Sequence, residues 1–252
     1  MTTPSVAVTA PTTRAWLDPA RWSVFGFILL FVGAAAAATQ LGLVHHGKAN
    51  HLGFWSLVLI GSAMILVTIA IGFAAKGRFD GVLIDRYNRV TLTHFQILLW
   101  TLLVVAAYAA AMLTNLMAGS SGLNALDVSI PPELWLAMGI SAGSFTTSKV
   151  LALKIPDDKL AGNATAADAR WIDIFRSDVD QGDRAIDLSK LQMFFFTAVL
   201  VTGYAATVAN QLLDTTTRVG SLPALNNTFV TLLAISNGTY LARKSAHLIA
   251  NE

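Results

Sequence analysis

Two triplets of hydrogen-bonding side chains recur in this chain at intervals of seven residues: Thr101, Tyr108 and Asn115, then Thr197, Tyr204 and Gln211. Seven residues are nearly two helical turns, so each triplet occupies one face of a helix. In an apolar setting such a stripe either hydrogen-bonds to a neighbouring helix or lines a narrow wet path for ions or small neutral solutes. Other chemistry is thin. His45, His46 and His51 sit together, but no nearby carboxylate completes a metal site, and they read as a solvated loop. Asp178-Val-Asp180-Gln-Gly182-Asp183 starts like a calcium loop. It lacks the acceptor at the fifth position and has Ser189 where a bidentate Glu belongs, so it reads as a solvated turn. The chain has no cysteine, which removes thiolate nucleophiles, disulfides and zinc–sulfur sites. No phosphate loop, dinucleotide fingerprint or zinc-protease helix is present. The expectation is a chain that is not an enzyme, with no catalytic residue, metal or cofactor.

The elements that carry the stripes are long and apolar. Of 252 residues, 54% are hydrophobic and only 13% charged, against about 25% charged in a soluble domain. Mean hydropathy is +0.59. Six stretches approach the ~20 residues that cross a bilayer as a helix: Ser23–Val44, Phe54–Ala75, Ile97–Ala118, Leu134–Leu153, Met193–Leu213 and Leu225–Leu241. The sixth is short and carries Asn227, Thr228, Ser236, Asn237 and Thr239. Ala34–Ala38 after an apolar run resembles a cleavage site, yet the length of the first stretch fits a retained helix better. No Asp, Glu, Lys, Arg or His lies deep in any stretch, which argues against a proton-coupled or ion-coupled carrier.

Charge outside the stretches gives an independent reading. If all six cross, every one of the 17 basic residues except Lys48 and Arg218 falls on one side. Basic residues favour the cytoplasmic face, which puts both termini inside a plasma (inner) membrane. Trp22, Trp55, Trp100 and Trp135 fall near the ends of stretches and read as an interfacial belt, with core packing open for Trp100. A net charge of +2 gives no reason to expect a nucleic-acid partner.

The chain also repeats itself. Thr93-His-Phe-Gln96 aligns with Ser189-Lys-Leu-Gln192, and the two stripes follow at the same offset. Ile140-Ser-Ala-Gly143 then aligns with Ile235-Ser-Asn-Gly238, Lys149 with Lys244, and Pro131–Pro132 with Pro223. Each copy holds two stretches, so the copies enter the membrane in the same sense and form a parallel repeat. Structural roles cover most matches. Thr93 with Gln96, and Ser189 with Gln192, have capping-box spacing. Gly139 with Gly143, and Ala234 with Gly238, would permit close helix packing. Lys149 and Lys244 would extend to the cytoplasmic surface.

The expected fold is therefore all-α: a multi-pass membrane helix bundle of about six transmembrane helices with a parallel internal repeat of two. Residues 1–22 read as a disordered cytoplasmic tail, 23–75 as a first helix pair, 85–153 as repeat one and 183–246 as repeat two. Between the repeats, 154–190 forms a cytoplasmic segment. In it Thr165-Ala-Ala-Asp168 resembles a capping box, and Trp171, Ile172, Phe175 and Val179 mark a short amphipathic helix. That helix either packs on its own protein or docks a cytoplasmic protein partner through Trp171 and Phe175. The functional expectation is an anchor, scaffold or partner-binding subunit surrounded by the lipid bilayer, with a homo-oligomer also open. The alternative is a channel lined by the repeated stripes.

Overall fold

The computed structural model describes residues 52–119, 123–154, 160–178, 186–214 and 218–249. The N-terminal tail, the first apolar stretch with Trp22, and the histidines at 45, 46 and 51 lie outside them. The described residues are helical: α1 (Leu52–Lys76), α2 (Leu92–Met117), α3 (Leu123–Leu126), α4 (Pro132–Ala152), α5 (Leu188–Asp214) and α6 (Asn227–Ile249). They carry no strands, only isolated bridges. Three of these helices, α1, α2 and α5, are long and apolar enough to cross a membrane.

Sequence punctuation sets the helix ends. Gly77, at φ 69°, takes the left-handed conformation that stops α1, and its N–H reaches the Phe73 carbonyl. Gly119 does the same after α2 at φ 84°. Proline occupies the first turn of α4, where no N–H is needed. Asp187 caps α5, its Oδ1 accepting from the Ser189 N–H at 2.9 Å, and Asn226 caps α6 through Thr228 at 2.9 Å. The caps expected at Thr93 and Ser189 are thus corrected: both residues already lie inside their helices. The cause is that each helix starts earlier, at Leu92 and Leu188, which frees Gln96 to reach across to another helix.

The helices run back and forth between two ends of one bundle. α1 packs on α2, α2 on α4 and α5 on α6; α2 also meets α5, and α4 meets α6. The main core joins Trp100, Val104, Ala107, Leu134, Leu200, Val208 and Leu233. On the other side of α2, Ala106, Ala109 and Leu113 seat Ile60 and Met64 of α1. Trp100 is 1% exposed, so it belongs to the core rather than to an interfacial belt. Trp55 and Trp135 are more than half exposed.

At one end, the segments after α2 and α5 pair. Ser129 N–H donates to Gly220, and Leu222 N–H returns to Ser129, each at 2.9 Å. At the other end, residues 77–91 and 160–178 fold over the helix termini. The amphipathic helix expected there is instead two 3₁₀ turns, Ala166–Asp168 and Trp171–Phe175. The Thr165 cap does form, with its N–H and hydroxyl both donating to Asp168 Oδ2 at 3.1 and 2.8 Å. Arg170 N–H then donates to Asp173 Oδ2 at 2.9 Å, which starts a second tight turn before a full α-turn can develop.

Candidate functional site

The chemistry concentrates at the end covered by residues 77–91 and 160–178. Asp178 is its centre. Lys190 donates to Asp178 Oδ1 at 2.6 Å. Lys244 and the Tyr240 hydroxyl donate to Oδ2 at 2.8 and 2.9 Å. With its one proton committed to Asp178, Tyr240 must accept from the Ser148 hydroxyl, 2.9 Å away, and Ser148 in turn accepts from Lys244 at 2.8 Å. Burial alone would push the Asp178 carboxyl up, but the two ammonium groups outweigh it and hold the carboxyl well below the usual carboxylate range. Lys190 and Lys244 are 3% and 8% exposed. Lys244 therefore does not extend to the surface as expected, because Asp178 holds it inward. Asp178 is likewise no solvated turn; residues 179–185 of that sequence lie outside the described residues.

Arg89 fastens the covering segment. It is 6% exposed and donates to the backbone carbonyls of Ser177 at 2.7 Å, Asp173 at 3.3 Å and Arg176 at 3.4 Å. Asn163 adds a bond from its amide to the Asn88 carbonyl at 2.8 Å. Beneath these contacts lies a cavity of 150 Å³ lined by Arg86, Arg89, Lys149, Lys190 and Lys244, with only Asp85 and Asp178 as acids among the described residues. The N-terminus of α2 opens into it through Thr91, Leu92 and Thr93, and Thr91 makes no side-chain cap.

A polar seam leads from this cluster into the bundle. Ser141, Ser144 and Ser148 of α4 face Ser236, Asn237, Tyr240 and Lys244 of α6, and all seven are buried. The hydroxyls of Ser141, Ser144 and Ser236 and the Asn237 Oδ1 have no hydrogen-bond partner among the described residues.

The two triplets do not converge. Thr101 is exposed and donates back to Ile97 on its own helix at 2.7 Å. Thr197 is buried, accepts from Gln96, and donates to Met193 at 2.8 Å. Tyr108 reaches the Leu126 carbonyl at 2.9 Å, whereas the buried Tyr204 hydroxyl finds no partner among the described residues. The last pair does correspond. Asn115 donates to Ala125 at 3.3 Å, and Gln211 donates to Ser221 at 2.9 Å, each ten residues downstream. Asn115 also brackets Val219, accepting from its N–H at 2.7 Å and donating to its carbonyl at 3.0 Å.

The expected packing role of Gly139, Gly143, Ala234 and Gly238 is corrected within this chain. All four are exposed, and a methyl at any of the three glycines would meet nothing within 4 Å. The seam between α4 and α6 uses the serine faces instead. Phe175 is partly buried and packs edge-on against Phe194 with ring centroids 5.1 Å apart. Trp171 stays 44% exposed.

Read from sequence, Asp178 belongs to a solvated turn, and Lys190, Tyr240 and the serine face carry no site role. The signal was there: Ser141, Ser144 and Ser148, and Ser236, Tyr240 and Lys244, lie at helical spacing on one face each. Comparison with protein-family models, with curated proteins and with solved structures finds no match for the chain.

Proposed function

We propose that this chain is a six-span inner-membrane protein with both termini cytoplasmic, built on a parallel two-helix repeat, and that it serves as a non-enzymatic scaffold or partner-binding subunit. The single observation that carries this reading is the covering segment 160–178. Arg89 and the Asp178 cluster tie it to the helix ends, while Trp171 and Ile172 remain exposed on it at 44% and 39%. A rigid platform with an exposed aromatic anchor suits a protein partner, because ordering entropy is already spent. The matched Asn115–Ala125 and Gln211–Ser221 bonds, with α2–α4 mirrored by α5–α6, support the repeat.

The alternative, a channel for ions or small neutral solutes, draws support from the seam rather than the stripes: four unpartnered polar atoms lie buried between α4 and α6, where hydrocarbon offers no hydrogen bonds. One experiment separates the two. A photo-crosslinker at Trp171 in native membranes should capture one dominant cytoplasmic protein, and Trp171→Ser should release that protein on purification. Absence of any adduct, together with solute flux through reconstituted vesicles that falls in the Ser141→Val/Ser236→Val double variant, would move the assignment to the channel.

A further inference from the structure

We propose that the cavity between the N-terminus of α2 and the covering segment is a binding site for a small phosphate-bearing anion. The inference goes beyond the scaffold reading and stands on the cavity alone. Five cations line the cavity and two acids face them among the described residues. Both acids are already committed. Asp178 is spent on Lys190, Lys244 and Tyr240. Asp85 Oδ1 accepts from the backbone N–H groups of Tyr87 and Arg89 at 2.8 and 3.1 Å. Lys149 has no acid partner among the described residues; its ammonium lies 5.5 Å from the centre of the Phe145 ring.

Two further features aim at an anion rather than merely tolerating one. The N-terminus of the 26-residue α2 opens into the cavity with no side-chain cap, so its first N–H groups and the positive end of the helix dipole are available there. The hydroxyl of the partly buried Thr91 beside it has no partner among the described residues and can donate to a phosphate oxygen. The volume of 150 Å³ is below the ~300–1,000 Å³ of drug-sized ligand sites. It suits a phosphate group with little attached, whether that group belongs to a lipid headgroup at the membrane surface or to a small soluble phosphate compound. Lys149, which forms no ion pair among the described residues, supplies the contact to the anion.

The test uses the full chain in phosphatidylcholine nanodiscs, titrated calorimetrically with inorganic phosphate, and repeated in nanodiscs in which phosphatidic acid replaces part of the phosphatidylcholine. Saturable phosphate binding that Lys149→Gln weakens about tenfold or more, that Lys149→Arg restores, and that Lys76→Gln leaves unchanged supports the site. Lys76 lies at the same end but outside the cavity. If phosphatidic acid suppresses phosphate uptake, the headgroup is the occupant; if uptake persists at equal affinity, the ligand is soluble. Either result keeps the site. No saturable phosphate binding combined with no retention of phosphatidic acid overturns it, as does equal binding by the wild type and a folded Lys149→Gln variant.

Discussion

One carboxylate, Asp178, receives hydrogen bonds from side chains 12, 62 and 66 residues away. This explains why its role was not legible in the sequence. Locally it begins an acidic run with calcium-loop spacing, and nothing in that run reveals Lys190, Tyr240 or Lys244. Removing it should be costly: Asp178→Asn leaves two buried ammonium groups without a counter-charge, a loss of about 3–5 kcal/mol, read as a lowered unfolding temperature in detergent. Wild-type stability in that variant would show that the cluster does not hold the cap. The pH dependence follows from the same group. The folded carboxyl titrates below its unfolded value, so its contribution is fully present above the unfolded pKa of about 4 and is lost as pH falls below it. Asp80, held down by its Arg78 hydrogen bonds, acts in the same direction. Stability should therefore hold through neutral pH and decline below about pH 4, and Asp178→Asn should be less sensitive to acid than the wild type.

Elements were more legible than sites. Apolar runs, Gly77, Gly119, Pro131–Pro132 and Asn226 mark where helices stop and start, because those signals act within a single turn. Rotation about the helix axis was not legible. Thr101 and Thr197 hold equivalent places in the repeat, yet one is exposed and the other buried. The sequence offset carries no information about α1, which packs along α2 and brings Gly53 against Thr114 on α2 and Leu212 on α5. Beside that contact equivalence survives: Asn115 and Gln211 each fasten the segment following their own helix. Their energetic weights differ, since Asn115 is fully buried and also brackets Val219. Asn115→Ala strands a buried N–H and two carbonyls and should cost about 2–3 kcal/mol. Gln211→Ala, at a partly exposed site, should cost about 1 kcal/mol or less. Equal losses in thermal unfolding would remove the argument that Asn115 ties the two copies together.

At the scale of the whole molecule, the two ends of the bundle differ in kind. One end joins residues 127–130 to 218–222 through backbone pairing and an Arg218–Asp127 bridge of 2.9 Å on exposed side chains, worth little by itself. The other end gathers Arg78, Arg86, Arg89, Lys149, Lys190 and Lys244 under a folded cap. α1, α2 and α5 are long and apolar enough to cross a bilayer, and α1 turns Trp55, Ile65, Leu66 and Phe73 outward, where water would penalise them and lipid would not. α4 and α6 have 21 and 23 residues; they are less apolar because their serine and asparagine faces turn toward each other. Crossing by both is consistent with that inward polarity, since the residues they leave outside include Trp135, Leu136, Val150, Phe229 and Ile235. The absence of cysteine makes the crossing directly measurable. Asp127→Cys and Asp168→Cys, each made alone, should react with a membrane-impermeant maleimide from opposite sides of sealed vesicles, Asp127→Cys from the outside of cells. Labelling of both from one side would mean that α4 does not cross, and the basic cap would then no longer mark the cytoplasmic face.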